Sequence, residues 1–332
     1  MNAIQQALSG LQLGEPLSHE GLTVHPLIRA SLPGKDYLTL DEALKLNVAR
    51  VTEVSESGSV PQLLFRSMGD QAVFLLDGEE LVGAKQNRVL NITILAPAGK
   101  ETVIPVSCVE AGRWNHSSDD FTSAPRAQYS ASRAKKAARV SENLAVFQEA
   151  RSDQGEVWAD IDVKMSRLQS SSATSAVEKV FEDNEDKLSQ YVARLHCVES
   201  QVGAVFSVRD QLTGMEFFDR ADTCRLLMPK VIRSYALDAI DPGYRPNHNS
   251  GINSPQQLLE LLAGAGFSSH KSVGEGEDLR FDSTPGIAGG ALFARDRVVH
   301  LCVFVSAEGQ RANDGGGYRT SASLRRRYRN VA

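Results

Sequence analysis

The sequence predicts an α+β fold, with a β-rich, sandwich- or barrel-like N-terminal half, a helical middle and a second α+β segment packed against it. Three observations carry this. Up to Trp114 the chain is a series of short apolar runs separated by turn residues. From Asn115 it becomes rich in Ser, Asp, Ala and Pro and then takes on helical periodicity. From Gly203 strand-sized apolar runs resume and end in VVHLCVFV. The segments are residues 1–114, 115–200, 201–306 and a Gly- and Arg-rich tail at 307–332. At 332 residues the chain is long enough for two domains or one integrated unit.

Residues 1–13 read as a short amphipathic helix with Ile4, Leu8 and Leu11 on one face, stopped by Gly14 and Pro16. Strands are expected at 22–28 and 46–54, with a brief helix starting at Asp41 behind a Thr39 cap. Further strands fall at 61–66 and 72–76, and Asp77-Gly78 reads as the turn of a hairpin continuing through 79–82. VLNITIL at 89–95 alternates as one strand, and 103–109 follows the Pro97-Ala98-Gly99 turn. Residues 115–132 read as a long loop. Helices follow at 133–150, 157–168, 176–181 and 187–196; with few apolar residues per turn, they are expected to lie on the surface.

In the last third, 203–208 and 215–218 read as strands, and Asp219 as the N-cap of a helix to Ile240 that Pro229 should kink or split. Leu227, Val231 and Tyr235 would share its inner face. Ser254-Pro255 opens another helix, closed by Gly264. Strands at 267–273, 279–282, 287–294 and 297–305 complete the pattern, the last two as a hairpin about Asp296-Arg297.

With 36 basic and 41 acidic residues the net charge is −5, which offers no global attraction to nucleic acid or to an anionic membrane. Arg325, Arg326, Arg327 and Arg329 form a local basic cluster, read first as a solvated tail and second as a phosphate or nucleic-acid contact. The longest apolar run, 298–305, is too short to span a bilayer, and the N-terminus lacks the pattern of a signal peptide. Cys108, Cys197, Cys224 and Cys302 are scattered without a CxxC pair, which fits a reducing, cytoplasmic setting.

Candidate site residues concentrate between Gln71 and Trp114. Glu79 and Glu80 sit beside a turn, and Lys85-Gln86-Asn87-Arg88 opens the next strand. Arg88 offers a planar fork for carboxylate or phosphate, Lys85 a point charge, and Gln86 and Asn87 amides for polar edges. Glu110 and Arg113 pair a carboxylate with a guanidinium, and Trp114 offers a stacking face. Glu79 and Glu110 are the candidate general bases. Cys108 reads as a small buried hydrophobe, since His116 lies beyond the strand end. Glu79, Glu110, His116 and Cys108 show no metal-ligand spacing, so no metal is expected, and neither a Rossmann nor a P-loop signature occurs. Glu216 and the Asp219-Arg220 pair read as cap and surface charges, Lys230 and Tyr235 as ordinary helix residues, and His300 as a core histidine.

LLDGEELVGAKQNRVLN followed by IPVSCVEAGRW, together with GAVFSVRDQLTGMEFFDRADTC and YALDAI, resembles the ARG and rhodanese-phosphatase-superfamily-associated protein domain family across residues 17–305. The resemblance implies a link to ADP-ribose or another NAD-derived nucleotide, and it carries over Glu79, Glu80, Lys85, Gln86, Asn87, Arg88, Ser107, Cys108, Glu110, Arg113 and Trp114. The expectation is binding of a nucleotide-like, phosphate-bearing anionic small molecule. The alternatives are a hydrolase using Glu79 or Glu110 as general base, and a regulatory or scaffold protein acting through the helical middle. No cofactor is assigned.

Overall fold

In a computed structural model of the chain, residues 1–30, 34–246 and 251–305 are described; the basic cluster at Arg325–Arg329 lies outside them. The largest sheet has nine antiparallel strands. Gln12–Leu13 and Leu17–His19 both pair with Leu22–Ile28, and the order continues through Gln201–Val208, Gln211–Phe218, Arg297–Val305, Ile287–Ala294, Glu277–Arg280 and Ser268–Lys271. It draws strands from both ends of the chain, so the first thirty residues and residues 201–305 share one core.

A six-stranded sheet curls into a half-barrel in the order Phe121–Ala127, Glu79–Gly83, Arg88–Leu90, Glu101–Cys108, Gln62–Ser67 and Ala49–Glu53. Its concave face packs Val51, Leu63, Phe65, Leu81, Leu90, Ile104 and Val106 into one core. The third sheet joins the other two. It consists of Ile94–Ala96, Ala72–Leu75 and Tyr37–Thr39, the last two parallel. Period-two alternation gives its faces to different cores: Val73, Leu75 and Ile94 to the half-barrel, and Tyr37, Phe74 and Leu95 to the main core beside the nine-stranded sheet.

The Thr39 and Ser254 caps and the last hairpin hold, with its turn at Arg295-Asp296 and not at Asp296-Arg297. Thr39 and Glu42 form a reciprocal capping box at Leu40–Lys45, and Ser254 caps Pro255–Gly264. Leu227, Val231 and Tyr235 are all buried, and Ile287–Ala294 pairs with Arg297–Val305 across an Arg295-Asp296 turn.

Several local expectations are corrected. Asp77-Gly78 does not close a hairpin; it passes the chain between sheets. Ala72–Leu75 pairs with Ile94–Ala96, whereas Glu79–Gly83 pairs with Arg88–Leu90 and Phe121–Ala127. Gly78 makes this crossing at φ +79°, with its backbone against Arg133. VLNITIL likewise splits between two sheets, because its polar side chains bond elsewhere: Asn91 accepts from Ser107 Oγ at 2.7 Å, and Thr93 Oγ accepts from the Asp77 N–H at 3.1 Å. The expected 115–132 loop contains the strand Phe121–Ala127.

The middle helices are not surface-laid. Val157, Ile161, Met165, Val177, Val180, Phe181, Leu188 and Tyr191 belong to the main core. Their helices carry few apolar residues because they also bury ion pairs, such as Lys164 with Asp238 at 2.6 Å and Asp241 at 2.7 Å. Ala221–Ile240 runs on through Pro229 as one helix, and it begins after Asp219. Asp219 is buried instead, accepting from Tyr37 OH at 2.5 Å and Arg297 Nε at 2.7 Å. Among the described residues no helix is long and apolar enough to cross a membrane.

Asp36 ties this junction together, pairing with Arg297 at 2.8 Å, Arg220 at 2.9 Å and Arg295 at 3.2 Å. Burial alone would raise its pKa, but bonds from Arg297 and Arg295 and the charge of Arg220 pull it down to about 2. Since this lies below the unfolded value of about 3.9, the stabilisation is complete above that value and is lost as the pH falls toward 2. The Asp36 side chain is 37% exposed, so solvent screens the network. Asp36→Asn is therefore expected to cost only about 1 kcal/mol at pH 7 and nothing near pH 2, read from urea unfolding at the two pH values.

Candidate functional site

The structure distributes the strand-end cluster over three environments. Glu79 and Glu80 are consecutive on one strand and face opposite ways. Glu79 is buried against Lys230 Nζ at 2.5 Å, accepts from Ser123 Oγ at 2.9 Å, and shares Lys230 with Asp41. Glu80 is buried against Arg126 Nε at 2.5 Å, and Arg126 also holds Glu178 at 2.9 Å. Burial raises the pKa of Glu80 beyond what Arg126 offsets, and the charges of Glu178 and Glu110 add to the rise.

Glu110, Arg113 and Asn87 form the second environment and saturate one another. Glu110 accepts from Arg113 Nε at 2.8 Å, Thr174 Oγ at 2.8 Å and the Asn87 N–H at 3.1 Å. Although burial opposes it, these bonds hold its carboxyl below the usual range. Arg113 also donates to Asn87 Oδ1 at 3.0 Å and to the carbonyls of Gly83 and Ala84. Asn87 Nδ2 donates to Glu178 at 2.9 Å. This group pins the turn at 83–87 to the chain following Cys108.

Arg88 stands apart. Cross-strand partners in an antiparallel sheet point to the same side. Arg88 lies opposite Cys108, two residues along from the Leu90–Val106 pair, and Glu53 lies opposite Leu63. Leu63, Leu90 and Val106 line the concave core, so Arg88 and Glu53 both project onto the apolar inner face of the half-barrel. Arg88 is fully buried. Its Nη1 donates to Gln86 Oε1 at 2.9 Å, while Nε and Nη2 are buried without a hydrogen-bond partner among the described residues. Burial lowers its pKa, and neighbouring Cys108 and Glu53 offset this only in part.

The surroundings have the same character. Both carboxylate oxygens of Glu53 are buried without a hydrogen-bond partner among the described residues, while the Trp158 side chain hydrogen-bonds the Cys108 thiol. The guanidinium of Arg88 lies 5.6 Å from the Trp114 ring centroid, and Lys85 Nζ lies 5.5 Å from it. Trp114 is 44% exposed, so its ring faces solvent as well as these cations. Gly58 closes the side: a Cβ there would come within 3.2 Å of Glu53 Oε2 and Lys85 and 3.4 Å of Trp114. Lys85 donates to the Glu56 carbonyl, holding this turn over the site. Gln86 fixes its amide by donating to the Glu110 carbonyl at 2.9 Å.

The predicted residues Lys85, Gln86, Arg88 and Trp114 therefore converge, whereas Glu79, Glu80, Glu110, Asn87 and Arg113 are engaged with other partners. Glu53 joins the site without having been predicted. Its approach depends on curling of the sheet, which leaves no local signal. Cys108 is buried with its thiol pKa pushed up by burial against the pull of Arg88, as suits a packing residue. Among the described residues no cluster of His, Cys, Asp and Glu could hold a metal.

Comparison with known proteins agrees with the strand-end motifs. A family model described as "ARG and Rhodanese-Phosphatase-superfamily-associated Protein domain" matches residues 10–304. No curated protein and no solved structure matches the chain.

Proposed function

The chain belongs to the ARG and Rhodanese-Phosphatase-superfamily-associated Protein domain family, and from that premise we propose that it binds a nucleotide-like, phosphate-bearing small molecule at the mouth of its half-barrel. One observation carries this reading. Four buried polar atoms at Arg88 and Glu53 have no hydrogen-bond partner among the described residues: Arg88 Nε and Nη2 and both Glu53 oxygens. Buried polar groups are otherwise almost always satisfied, and each left open costs about 1–3 kcal/mol. Such a cluster is expected where a ligand completes the bonding.

The donor set defines the ligand. Arg88 Nε and Nη2 offer a two-pronged fork for phosphate oxygens, and Lys85 adds a second positive charge at the rim. Glu53 can accept only from a hydrogen donor such as a ribose hydroxyl. Trp114 gives a half-exposed ring against which a base can lie. A simple anion would satisfy Arg88 but leave Glu53 unmatched. A hydrolase drawing on Glu79 or Glu110 has less support, because each is already held by a cation, Lys230 or Arg113.

A thermal-shift panel of ADP-ribose, AMP, NAD, ribose and inorganic phosphate tests the proposal. At a hundredfold excess over Kd a ligand adds about 2.7 kcal/mol. The nucleotides should raise the melting temperature well above any effect of phosphate or ribose alone. Absence of a shift with every member of the panel, in folded protein, would overturn the reading.

A further inference from the structure

The fold brings together two cysteines that the sequence separates. Cys197 lies between the helix Glu185–Arg194 and the strand Gln201–Val208, and Cys224 lies in the first turn of the helix Ala221–Ile240. Their side chains hydrogen-bond to each other. Both positions are fixed by their surroundings. The Val198 N–H donates to Gln201 Oε1 at 2.9 Å, which holds the short turn after Cys197, and the Cys224 N–H donates to the Arg220 carbonyl at 3.0 Å. The two helices are tied by Arg233, 2.6 Å from Glu185. Cys224 is fully buried in the main core, whereas Cys197 is half-buried and packs against it.

The two thiols are inequivalent. Cys197 is the more exposed and gives up its proton more readily, so the Cys224 S–H donates to the Cys197 sulfur. That bond, helped by the charge of Arg225, holds the Cys197 thiol below its ordinary value against the effect of burial. Burial pushes Cys224 well above the ordinary value, and the bond to Cys197 adds to the rise. Cys108 and Cys302 differ. Both are buried and pushed up by burial, and both donate to oxygen: Cys108 Sγ to the Glu110 carbonyl at 3.2 Å, and Cys302 Sγ to Glu216 Oε1 at 3.3 Å. A cysteine packed only as a small hydrophobe would need neither a second thiol beside it nor a nearby cation.

We propose that Cys197 and Cys224 are an oxidative modification site for hydrogen peroxide, at which Cys197 is oxidised first and Cys224 closes a disulfide onto it. The Cys197 thiolate attacks one oxygen of the peroxide. An S–O bond forms, the O–O bond breaks, and the departing hydroxide takes up a proton as water. The Cys197 sulfur, now a sulfenic acid, has given two electrons to the peroxide. Cys224 then attacks that sulfur: an S–S bond forms, the S–O bond breaks, and the hydroxide leaves as water with the Cys224 proton. Two thiols and one peroxide thus become one disulfide and two waters. The hydrogen bond already sets the two sulfurs side by side, so the second step requires no rearrangement of the helices. The new bond closes residues 198–223 into a loop around the hairpin of Gln201–Val208 and Gln211–Phe218.

The test uses the reduced full chain, treated with hydrogen peroxide, blocked with N-ethylmaleimide and mapped by non-reducing peptide mass spectrometry. The free thiols should fall from four to two, with a Cys197–Cys224 linked peptide that dithiothreitol releases and with Cys108 and Cys302 still free. Cys224→Ser should stop at the first step, leaving a sulfenic acid on Cys197 that dimedone traps. Cys197→Ser should lose the disulfide and leave Cys224 unoxidised over the same time. The wild-type map decides the matter even where a variant fails to fold. Folded wild type that keeps four thiols, that oxidises Cys108 or Cys302 before this pair, or that links Cys197 only between two copies would overturn the proposal. So would folded Cys197→Ser that forms a sulfenic acid on Cys224 as fast as wild type loses its thiols.

Discussion

Arg133→Met is expected to cost about 3–5 kcal/mol of stability, the range for removing one member of a buried ion pair. Arg133 is fully buried, 2.7 Å from Glu216 and 3.5 Å from Asp77, and its guanidinium lies 5.3 Å from the Phe304 ring centroid. Methionine fills similar space but leaves Glu216 with the hydrogen bonds of His300 and Cys302, and Asp77 with Lys136 as its remaining ion pair among the described residues. The pH dependence identifies the cause. Both Asp77 and Glu216 have lowered pKa values, because their partners outweigh burial: the charges of Lys136 and Arg133 for Asp77, and the charge of Arg133 with the hydrogen bond from His300 for Glu216. Their contribution is therefore fully present above the unfolded values, about 3.9 for Asp and 4.3 for Glu, and is lost as the pH falls through the lower folded values. Arg133→Met should remove much of that dependence, so urea unfolding between pH 5 and pH 3 should give a shallower slope than wild type. A mutant that is less stable at pH 7 but keeps the wild-type slope would point to lost packing instead.

Arg88→Met is expected to act in the opposite direction on the ligand-free protein. A buried guanidinium with two open nitrogens and an unmatched carboxylate nearby is a destabilising arrangement. Replacing it with an apolar side chain should raise the stability by about 1–3 kcal/mol, the cost of leaving such groups unsatisfied. The same substitution should abolish the thermal shift given by ADP-ribose or AMP. Stability retained for function at the expense of the free protein is the usual mark of a binding site. A loss of stability in Arg88→Met would show that the residue is structural. Glu53→Gln should keep phosphate recognition but weaken the discrimination between ADP-ribose and inorganic phosphate, as seen in their relative shifts.

Much of the fold was legible because the local signals were strong. Thr39 with Glu42, Ser254 with Gln257, and the alternation in the last two strands each depend on residues close in sequence. The failures share a cause. Whether 72–76 pairs with 79–82 or with 94–96 depends on contacts that form only when distant segments meet, and Asn91 and Thr93 interrupt a perfect alternation for partners at Ser107 and Asp77. The burial of the middle helices was hidden because Arg133, Lys136 and Lys164 sit inside as partners of distant carboxylates, where hydrophobicity would place them outside.

The site was legible in the same partial way. Arg88, Lys85, Gln86 and Trp114 declared themselves as chemistry at strand ends. The spacing of Glu110 and Arg113 suggested a pair, but their saturation by Asn87, Thr174 and backbone carbonyls could not be read from it. Glu53 looked like one more polar strand residue until the sheet curled and turned it inward. His300 read as a core histidine, and it is buried as one, yet its two nitrogens connect groups more than eighty residues away in the chain, at Thr93 and Glu216.

The most direct measurement is a crystal structure of the full chain grown with ADP-ribose. The account predicts phosphate oxygens within about 3 Å of Arg88 Nε and Nη2, the usual hydrogen-bond distance, a hydroxyl donating to Glu53, and a ring against Trp114. A ligand bound elsewhere, or an Arg88 that closes directly onto Glu53 with nothing between them, would contradict it.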